Sequence, residues 1–161
     1  MKIIKNSSDR ARIKVLYVDD ELSNLNSFKA AFRRDFEVFV ASTAAEGLQI
    51  LMKNKIQVIL SDQRMPEISG VEFLENAFHL QPGVPRIIVT GYTDAEDLIA
   101  AINKAHVFRF IRKPWTQEEI SETIFDAFVT YRESSDQIVE KDSLKKQNKQ
   151  LEFIISQMML D

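Results

Sequence analysis

The sequence contains no cysteine and only two histidines, His79 and His106, among its 161 residues. Without cysteine, disulfide bonds and thiolate zinc sites are excluded. The two histidines are far apart in the chain and make a poor metal pair, so each is interpreted as an ordinary surface or helix-end residue. Functions that depend on such sites are therefore excluded.

The sequence also lacks a strong charge of one sign and any long apolar run. Its net charge of -3 gives no electrostatic reason to expect a nucleic-acid partner. No stretch approaches the length of a membrane span. Residues 1–12 carry charge without the apolar core of a signal peptide. We therefore expect a cytoplasmic chain that binds neither membranes nor nucleic acid directly.

What the sequence does contain is a regular alternation of β-rich apolar runs and amphipathic helical stretches. The predicted strands are 13–18, 36–41, 57–62, 86–90 and 107–111, and the predicted helices begin near residues 21, 43, 70, 94 and 116. The second and fifth helices have capping-box spacing, at Thr43–Glu46 and Thr116–Glu119. Five such β-α units predict an α/β fold, a doubly wound five-stranded parallel sheet of order 2-1-3-4-5 with helices on both faces, followed by a C-terminal helical extension.

Polar residues stand at the ends of four of these strands. Asp62 ends an apolar run without polar alternation, which is typical of a strand buried on both faces. Asp19 and Asp20 follow the first strand, Thr90 ends the fourth and Lys113 follows the fifth. In open parallel sheets the functional edge lies outside the carboxyl ends of the strands. With strands one and three side by side, the three carboxylates are expected to converge there.

Each of these residues also has an ordinary structural interpretation. Asp62 fits a strand-ending turn, Asp19 and Asp20 fit a helix N-cap pair, Thr90 fits a strand and Lys113 fits the surface. Because all of them occur at the ends of strands, in this order along the chain, a functional site is the favoured interpretation. Clustered carboxylates need a compensating cation and suit Mg²⁺, and an aspartate can act as a nucleophile toward phosphorus. Phosphoryl transfer would then use the lysine and the threonine hydroxyl to neutralise and bind the phosphoryl oxygens.

These residues together resemble the receiver domain of bacterial two-component response regulators, which is CheY-like. The matching residues are Val18-Asp19-Asp20-Glu21, Ser61-Asp62-Gln63-Arg64-Met65-Pro66, Ser69-Gly70, Val89-Thr90-Gly91 and Lys113-Pro114. The resemblance implies that Asp62 accepts a phosphoryl group from a histidine kinase or phosphotransfer protein. It further implies Mg²⁺ binding by Asp19, Asp20, Asp62 and the backbone carbonyl of Arg64. Thr90 and Phe110 match the family's switch pair, Lys113 matches its phosphate-binding lysine, and the Lys113-Pro114 bond is expected to be cis.

A receiver of this kind is a signalling switch, and we expect no enzymatic activity beyond self-phosphorylation and autodephosphorylation. The resemblance implies that phosphorylation changes the surface formed by helix four, strand five and helix five, which then controls an output module or partner. Arg64 and Tyr92 match positions that tune the lifetime of the acyl phosphate. Two alternatives stay open: a Mg²⁺-dependent phosphatase of the haloacid dehalogenase type, which needs Asp-x-Asp after strand one, and a flavodoxin-like binding module, which needs a phosphate loop there.

The domain organisation is predicted as three segments. Residues 1–12 form a flexible N-terminal segment, residues 13–131 the receiver, and residues 132–161 a helical linker or short coiled coil that leads to an output module outside this chain. In the last segment Leu144, Leu151 and Met158 are seven residues apart, with Asn148 and Ile155 at the complementary positions. This pattern predicts a homodimer through the C-terminal helix. A solvated helical tail is the alternative, because the pattern covers only two heptads.

Overall fold

The structure, a computed structural model, describes residues 13–91 and 95–159. The predicted flexible segment 1–12, Tyr92 and the predicted helix start at residue 94 lie outside these ranges. The strands are β1 (Lys14–Val18), β2 (Glu37–Ala41), β3 (Val58–Asp62), β4 (Arg86–Thr90) and β5 (Arg109–Arg112). The helices are α1 (Leu22–Phe32), α2 (Ala44–Lys53), α3 (Gly70–Leu80), α4 (Ala95–Ala105) and α5 (Gln117–Met159).

The five strands form one parallel sheet in the order β2-β1-β3-β4-β5, which confirms the predicted topology. β1 lies between β2 and β3. The sheet therefore grows in one direction from β1 to β2 and in the opposite direction from β1 to β3, and the reversal point lies between β1 and β3. The register aligns Val18 of β1 with Ser61 of β3. The residues that follow β1 and end β3 therefore meet at the same edge of the sheet.

The apolar runs form strands because both faces of the sheet are covered. Every residue of β3 and β4 is buried, as expected for the interior of a parallel sheet. Side chains alternate between faces along β1: Val15 and Tyr17 enter the core that contains α1 residues, whereas Leu16 and Val18 enter the core that contains α3 residues. One strand thus contributes to two hydrophobic cores, and this fixes its orientation.

The helix caps differ in part from the predicted ones. The Thr43 hydroxyl accepts a hydrogen bond from the Glu46 N–H at 3.1 Å, as a capping box requires, but the Glu46 carboxylate accepts hydrogen bonds from Ser42. Both halves of a capping box are present instead at Ser69 and Glu72, at the start of α3. This box closes the loop that follows Asp62, so it helps to define the functional edge.

The chain divides into two compact units between Tyr131 and Arg132. The first unit contains the sheet and both hydrophobic cores. In the second unit, every residue from 140 to 159 is exposed and helical. None of the helices in the described ranges combines the length and apolar character that are needed to cross a membrane. The assignment of residues 132–161 as a linker or coiled coil stays a prediction.

Candidate functional site

Three carboxylates meet at the carboxyl edge of the sheet. Asp19 and Asp20 follow β1 directly, and Asp62 is the last residue of β3. One carboxylate oxygen from each of the three lies within 4.8 Å of the others. Asp19 and Asp62 are buried, whereas Asp20 is exposed. The convergence expected from the strand order is therefore present, with one of the three acids open to solvent.

Lys113 supplies the positive charge at this edge. Its Nζ donates a hydrogen bond to Asp62 Oδ1 at 2.9 Å and lies 4.0 Å from Asp19 Oδ2. The Lys113 backbone N–H bonds to the Thr90 carbonyl at 2.8 Å, and the Lys113-Pro114 peptide bond is cis, as the resemblance implied. Burial raises the pKa of Asp62, and the contact with Lys113 opposes this rise. The lysine thus favours the ionised, nucleophilic form of the aspartate.

Asp19 is held by three hydrogen-bond donors. The Tyr17 hydroxyl donates to Oδ2 at 2.6 Å, and the Asn24 amide donates to the same oxygen at 3.0 Å. The Glu21 backbone N–H donates to Oδ1 at 2.9 Å. Burial and the hydrogen bond to Asp19 raise the pKa of Tyr17, so its hydroxyl stays protonated and keeps donating. A fully buried carboxylate is stabilised here by charge-assisted hydrogen bonds.

Tyr17 and Asn24 are residues of the site that were not predicted from the sequence. The signal for Tyr17 is its position two residues before Asp19, because alternate residues of an extended segment point to the same face. Asn24 lies in the first turn of α1, three residues after the Glu21 N-cap. Neither residue belongs to a sequence motif that indicates a functional role, so only the folded chain shows their hydrogen bonds to Asp19.

The loop after β3 fixes the backbone around Asp62. The Gln63 N–H bonds to the Val89 carbonyl at 3.0 Å, and the Gly70 N–H bonds to the Gln63 carbonyl at 2.9 Å. The Ser61 hydroxyl donates to the Asp62 carbonyl at 3.0 Å. A Cβ atom at Gly70 would overlap that same carbonyl, so glycine is required by this close approach. These contacts hold the nucleophile candidate on a rigid support.

The remaining candidate residues lie around this edge. Thr90 is the buried last residue of β4, and its carbonyl is the acceptor for Lys113. Phe110 pairs with Ile88 in the sheet register, and 41% of its surface is exposed. Arg64 is exposed in the loop after β3. The roles of Thr90 and Phe110 as a switch pair, and of the Arg64 carbonyl as a metal ligand, stay predictions.

The donor set fits a hard divalent cation. Carboxylate oxygens are the ligands that Mg²⁺ prefers, and Mg²⁺ retains several waters when one or two carboxylates bind it. Asp20 lines an open cleft of about 310 Å³ together with Ser42, Met65 and Pro66, among other residues. Solvent therefore reaches the acidic cluster from the side of Asp20. The three carboxylates and this access are compatible with a hydrated Mg²⁺ ion.

Comparisons with known proteins match most of the chain to one family. The family model described as the response regulator receiver domain matches residues 15–125. The hydrogenase transcriptional regulatory protein HoxA of Cupriavidus necator is 39% identical over 113 residues, which are 70% of this chain and 23% of that protein. The transcriptional regulatory protein GlrR of Escherichia coli K12 is 32% identical over 114 residues, which are 70% of this chain and 26% of that protein. The chain thus spans about a quarter of the length of the curated relatives it matches.

Solved structures agree with this match. A response regulator receiver domain protein from Clostridium thermocellum is 33% identical, with a TM-score of 0.71, and the match covers 75% of this chain and 98% of that one. A structure named as an adenylate cyclase from Rhodopirellula baltica is 32% identical, with a TM-score of 0.72, and the match covers 83% of this chain and 96% of that one. Neither the phosphatase nor the flavodoxin-like alternative is supported. The fold, the acidic edge and these matches together show that the chain belongs to the response regulator receiver domain family.

Proposed function

We propose that Asp62 accepts a phosphoryl group from the phosphohistidine of a histidine kinase or phosphotransfer protein. The observation that carries this proposal is the 2.9 Å contact between Lys113 Nζ and Asp62 Oδ1, next to two further carboxylates. A buried aspartate on a rigid strand has few rotamers available, and a paired ammonium keeps it ionised. Such a group is suited to nucleophilic attack on phosphorus.

The transfer step forms a bond between an Asp62 oxygen and phosphorus while the phosphorus–nitrogen bond of the donor breaks. The imidazole nitrogen keeps the electron pair and takes a proton from solvent. Lys113 is close enough to Asp62 to move onto a phosphoryl oxygen once the carboxylate charge is used in the new bond. The Thr90 hydroxyl donates a hydrogen bond to another phosphoryl oxygen. Phosphoryl transfer relies mainly on such positioning and charge neutralisation.

Receiver domains generally bind Mg²⁺ at their acidic site. In this chain Asp19, Asp20, Asp62 and the backbone carbonyl of Arg64 would hold the ion. When bound, Mg²⁺ neutralises charge on the phosphoryl oxygens. The hydrogen bonds to Asp19 limit its rotation, and the exposed Asp20 is the most adjustable of the three acids. The cluster therefore combines a fixed ligand with an adaptable one.

The phosphoryl group is proposed to modify Asp62 of this chain rather than a separate substrate, so the protein would serve as a switch. Family membership favours this reading, and the candidate nucleophile lies on β3 rather than after β1. In the proposed active state, Thr90 moves toward the phosphoryl group and Phe110 fills the space that it leaves beside β4. This movement would change the surface made by α4, β5 and α5, and that surface would control an output module or a partner.

The output itself is proposed to lie in a separate module. The relatives HoxA and GlrR are named as transcriptional regulatory proteins, and this chain matches only about a quarter of each. With a net charge of -3, this chain has no electrostatic preference for nucleic acid. We therefore assign any contact with DNA to such a module and none to residues 13–131.

The second unit is proposed to pair with a copy of itself. Leu144, Leu151 and Met158 are exposed apolar residues on one seam of α5. The polar Asn148 on the same seam specifies a register in two-stranded parallel coiled coils. A parallel pair would then bring two receivers together and give phosphorylation a means of changing the geometry of a dimer.

Beryllofluoride, an analogue of the phosphoryl group, tests the assignment of the acceptor. With Mg²⁺ present, the wild-type chain is expected to show a bound beryllofluoride signal in fluorine NMR, and acetyl phosphate is expected to add one phosphoryl mass. Asp62→Ala should show neither, because the acceptor oxygen is gone. Asp142→Ala, which removes an exposed tail carboxylate, is the matched control and should behave as wild type. An unchanged adduct in Asp62→Ala would exclude Asp62 as the acceptor.

A further inference from the structure

Tyr17 combines a fixed ring with a hydroxyl that contacts the acidic cluster. The residue is 2% exposed, and its ring stacks on that of Phe28 with centroids 4.3 Å apart and an interplanar angle of 27°. The hydroxyl donates to Asp19 Oδ2 at 2.6 Å. A stacked, buried ring leaves the hydroxyl little freedom, so the hydrogen bond constrains the orientation of the carboxylate.

The distribution of donors over the two oxygens of Asp19 is uneven. Oδ2 accepts from both Tyr17 and Asn24, whereas Oδ1 accepts from the Glu21 backbone N–H. A carboxylate oxygen has two lone-pair sites, so Oδ2 is filled while Oδ1 keeps one site. Lys113 Nζ lies 4.0 Å from Oδ2, beyond hydrogen-bond distance, and 2.9 Å from Asp62 Oδ1.

We propose that Tyr17 is a positioning residue, whose hydroxyl fills Asp19 Oδ2 so that Oδ1 remains for Mg²⁺ and Lys113 remains on Asp62. This inference rests on the proposed Mg²⁺-dependent acceptance of a phosphoryl group at Asp62. Tyr17, two residues before Asp19, would affect Mg²⁺ binding indirectly, through the orientation of the Asp19 carboxylate. Without the hydroxyl, one acceptor site of Asp19 Oδ2 opens and the carboxylate is held less firmly, so Oδ2 competes with Asp62 for the Lys113 ammonium.

The test compares Tyr17→Phe with Tyr131→Phe in the full chain. Tyr17→Phe keeps the ring and its contact with Phe28 but removes the donor. Tyr131→Phe removes the hydroxyl of a partly buried tyrosine that packs near Phe128, with centroids 6.4 Å apart. Calorimetry measures the Mg²⁺ affinity, fluorine NMR measures the beryllofluoride affinity, and urea unfolding without Mg²⁺ measures stability. Tyr17→Phe is expected to weaken Mg²⁺ binding about tenfold, as loss of a hydrogen bond to a charged group predicts.

The outcomes separate the inference from the function on which it rests. Weaker Mg²⁺ and beryllofluoride binding in Tyr17→Phe, with Tyr131→Phe equal to wild type, supports the positioning role. Reduced stability with wild-type Mg²⁺ affinity overturns it, because Tyr17 would then be only a core residue. Failure of wild type to bind either Mg²⁺ or beryllofluoride contradicts the proposed function, and the inference falls with it.

A second variant covers the case in which Tyr17→Phe does not fold. Asn24 is only partly buried and donates to the same Asp19 oxygen. Asn24→Ala is therefore expected to weaken Mg²⁺ binding about threefold while the chain stays folded, in line with a weaker single hydrogen bond. Wild-type Mg²⁺ affinity in a folded Asn24→Ala chain would show that the donors on Oδ2 do not position Asp19, and the inference would be wrong.

Discussion

At the scale of single residues, the three acids differ in what surrounds them. Asp19 is buried and hydrogen-bonded by three donors, and Asp62 is paired with the Lys113 ammonium. Asp20 is exposed and lines the cleft. Because Asp19 is held by three donors and Asp62 by the ammonium, the exposed Asp20 is the least constrained of the three and can adjust to a cation. The three carboxylates are thus suited to three different tasks.

Asp20→Ala is therefore expected to abolish measurable Mg²⁺ binding. Removing one carboxylate leaves too little negative charge to offset the dehydration of the ion. Calorimetric titration measures the affinity directly, and Trp115, which lines a cleft together with Asn24 and Lys113, offers a fluorescence signal near the site. Glu37→Ala is the matched control, because it removes an exposed carboxylate at the start of β2, outside the acidic cluster. Wild-type affinity in Asp20→Ala would exclude Asp20 as a ligand.

The positions of the acids could be predicted from the sequence, but their hydrogen-bond partners could not. A carboxylate directly after a buried apolar run must lie at the edge of a parallel sheet, so Asp19, Asp20 and Asp62 are placed by pattern alone. The contact between Tyr17 and Asp19 depends on the orientation of a buried ring. The ring stacks on Phe28 of α1, so its orientation depends on how α1 packs against β1.

Arg86 illustrates the same limit away from the site. It opens β4 as the one charged residue of that strand and is 5% exposed. Its guanidinium donates to the carbonyls of Ala105, Val84, His106 and Pro82 at 2.6 to 3.2 Å. Burial lowers its pKa. These acceptors come from two turns that are about twenty residues apart, so no local sequence pattern predicts the hydrogen bonds of Arg86.

At the scale of elements, the loop between β3 and α3 determines how Asp62 is presented. The Ser69–Glu72 capping box begins α3, and the Val71 N–H bonds to the Gln63 side chain at 3.1 Å. Gly70 lies between these contacts, with its ideal Cβ position overlapping the Asp62 carbonyl and 2.8 Å from Ile88 Cδ1. The start of α3 and the end of β3 are therefore in direct backbone contact, and a side chain there has no room.

Gly70→Ala is expected to destabilise the chain by about 1–3 kcal/mol, the usual range for overpacking of a tight site. The displaced backbone of Asp62 should also lower beryllofluoride binding. Urea unfolding and fluorine NMR measure the two effects. Gly83→Ala is the matched control, because its added Cβ would meet nothing within 4 Å, and its stability should stay within about 0.5 kcal/mol of wild type. Equal stability of the two variants would contradict the close approach at Gly70.

Element types were easier to predict than element ends. Continuous apolar runs predicted the strands, because a sheet that is covered on both faces needs apolar residues along the whole strand. The last strand shows the limit: it was predicted at 107–111 and lies at Arg109–Arg112. The Phe108 N–H instead bonds to the Arg86 carbonyl, and Val107 is buried before the strand begins. Tertiary contacts at the strand edge, rather than residue type, decide where the ladder starts.

At the scale of the whole molecule, the strand order follows from connection rules more than from particular residues. Right-handed β-α-β crossovers and helices on both faces leave few arrangements for five such units, and 2-1-3-4-5 is a common one. The second unit is different, since these connection rules do not apply to a single exposed helix. Whether its seam residues pack against a second copy must be determined by experiment.

The charges beside the seam of α5 favour a parallel pair. In the proposed parallel pair, with Leu144, Leu151 and Met158 at d positions and Asn148 and Ile155 at a positions, Glu140 of one copy would face Lys145 of the other. The same register would bring Ile154 of one copy near Met159 of the other, and both residues are exposed in the single chain. One opposite-charge pair and one apolar pair per side would thus flank the short seam and add to its stability.

Sedimentation of the intact chain and of a version ending at Tyr131, each with and without beryllofluoride, tests this pairing. We expect the intact chain to dimerise at micromolar concentrations, the shorter version to stay monomeric, and beryllofluoride to shift the dimer affinity. Leu151→Glu should abolish the dimer, because it places a charge in the seam. Phe153→Glu is the matched control, since Phe153 is also exposed but lies off the seam. If all four samples are monomeric, the tail is a solvated helix, and phosphorylation of Asp62 must then act through the α4-β5-α5 surface alone.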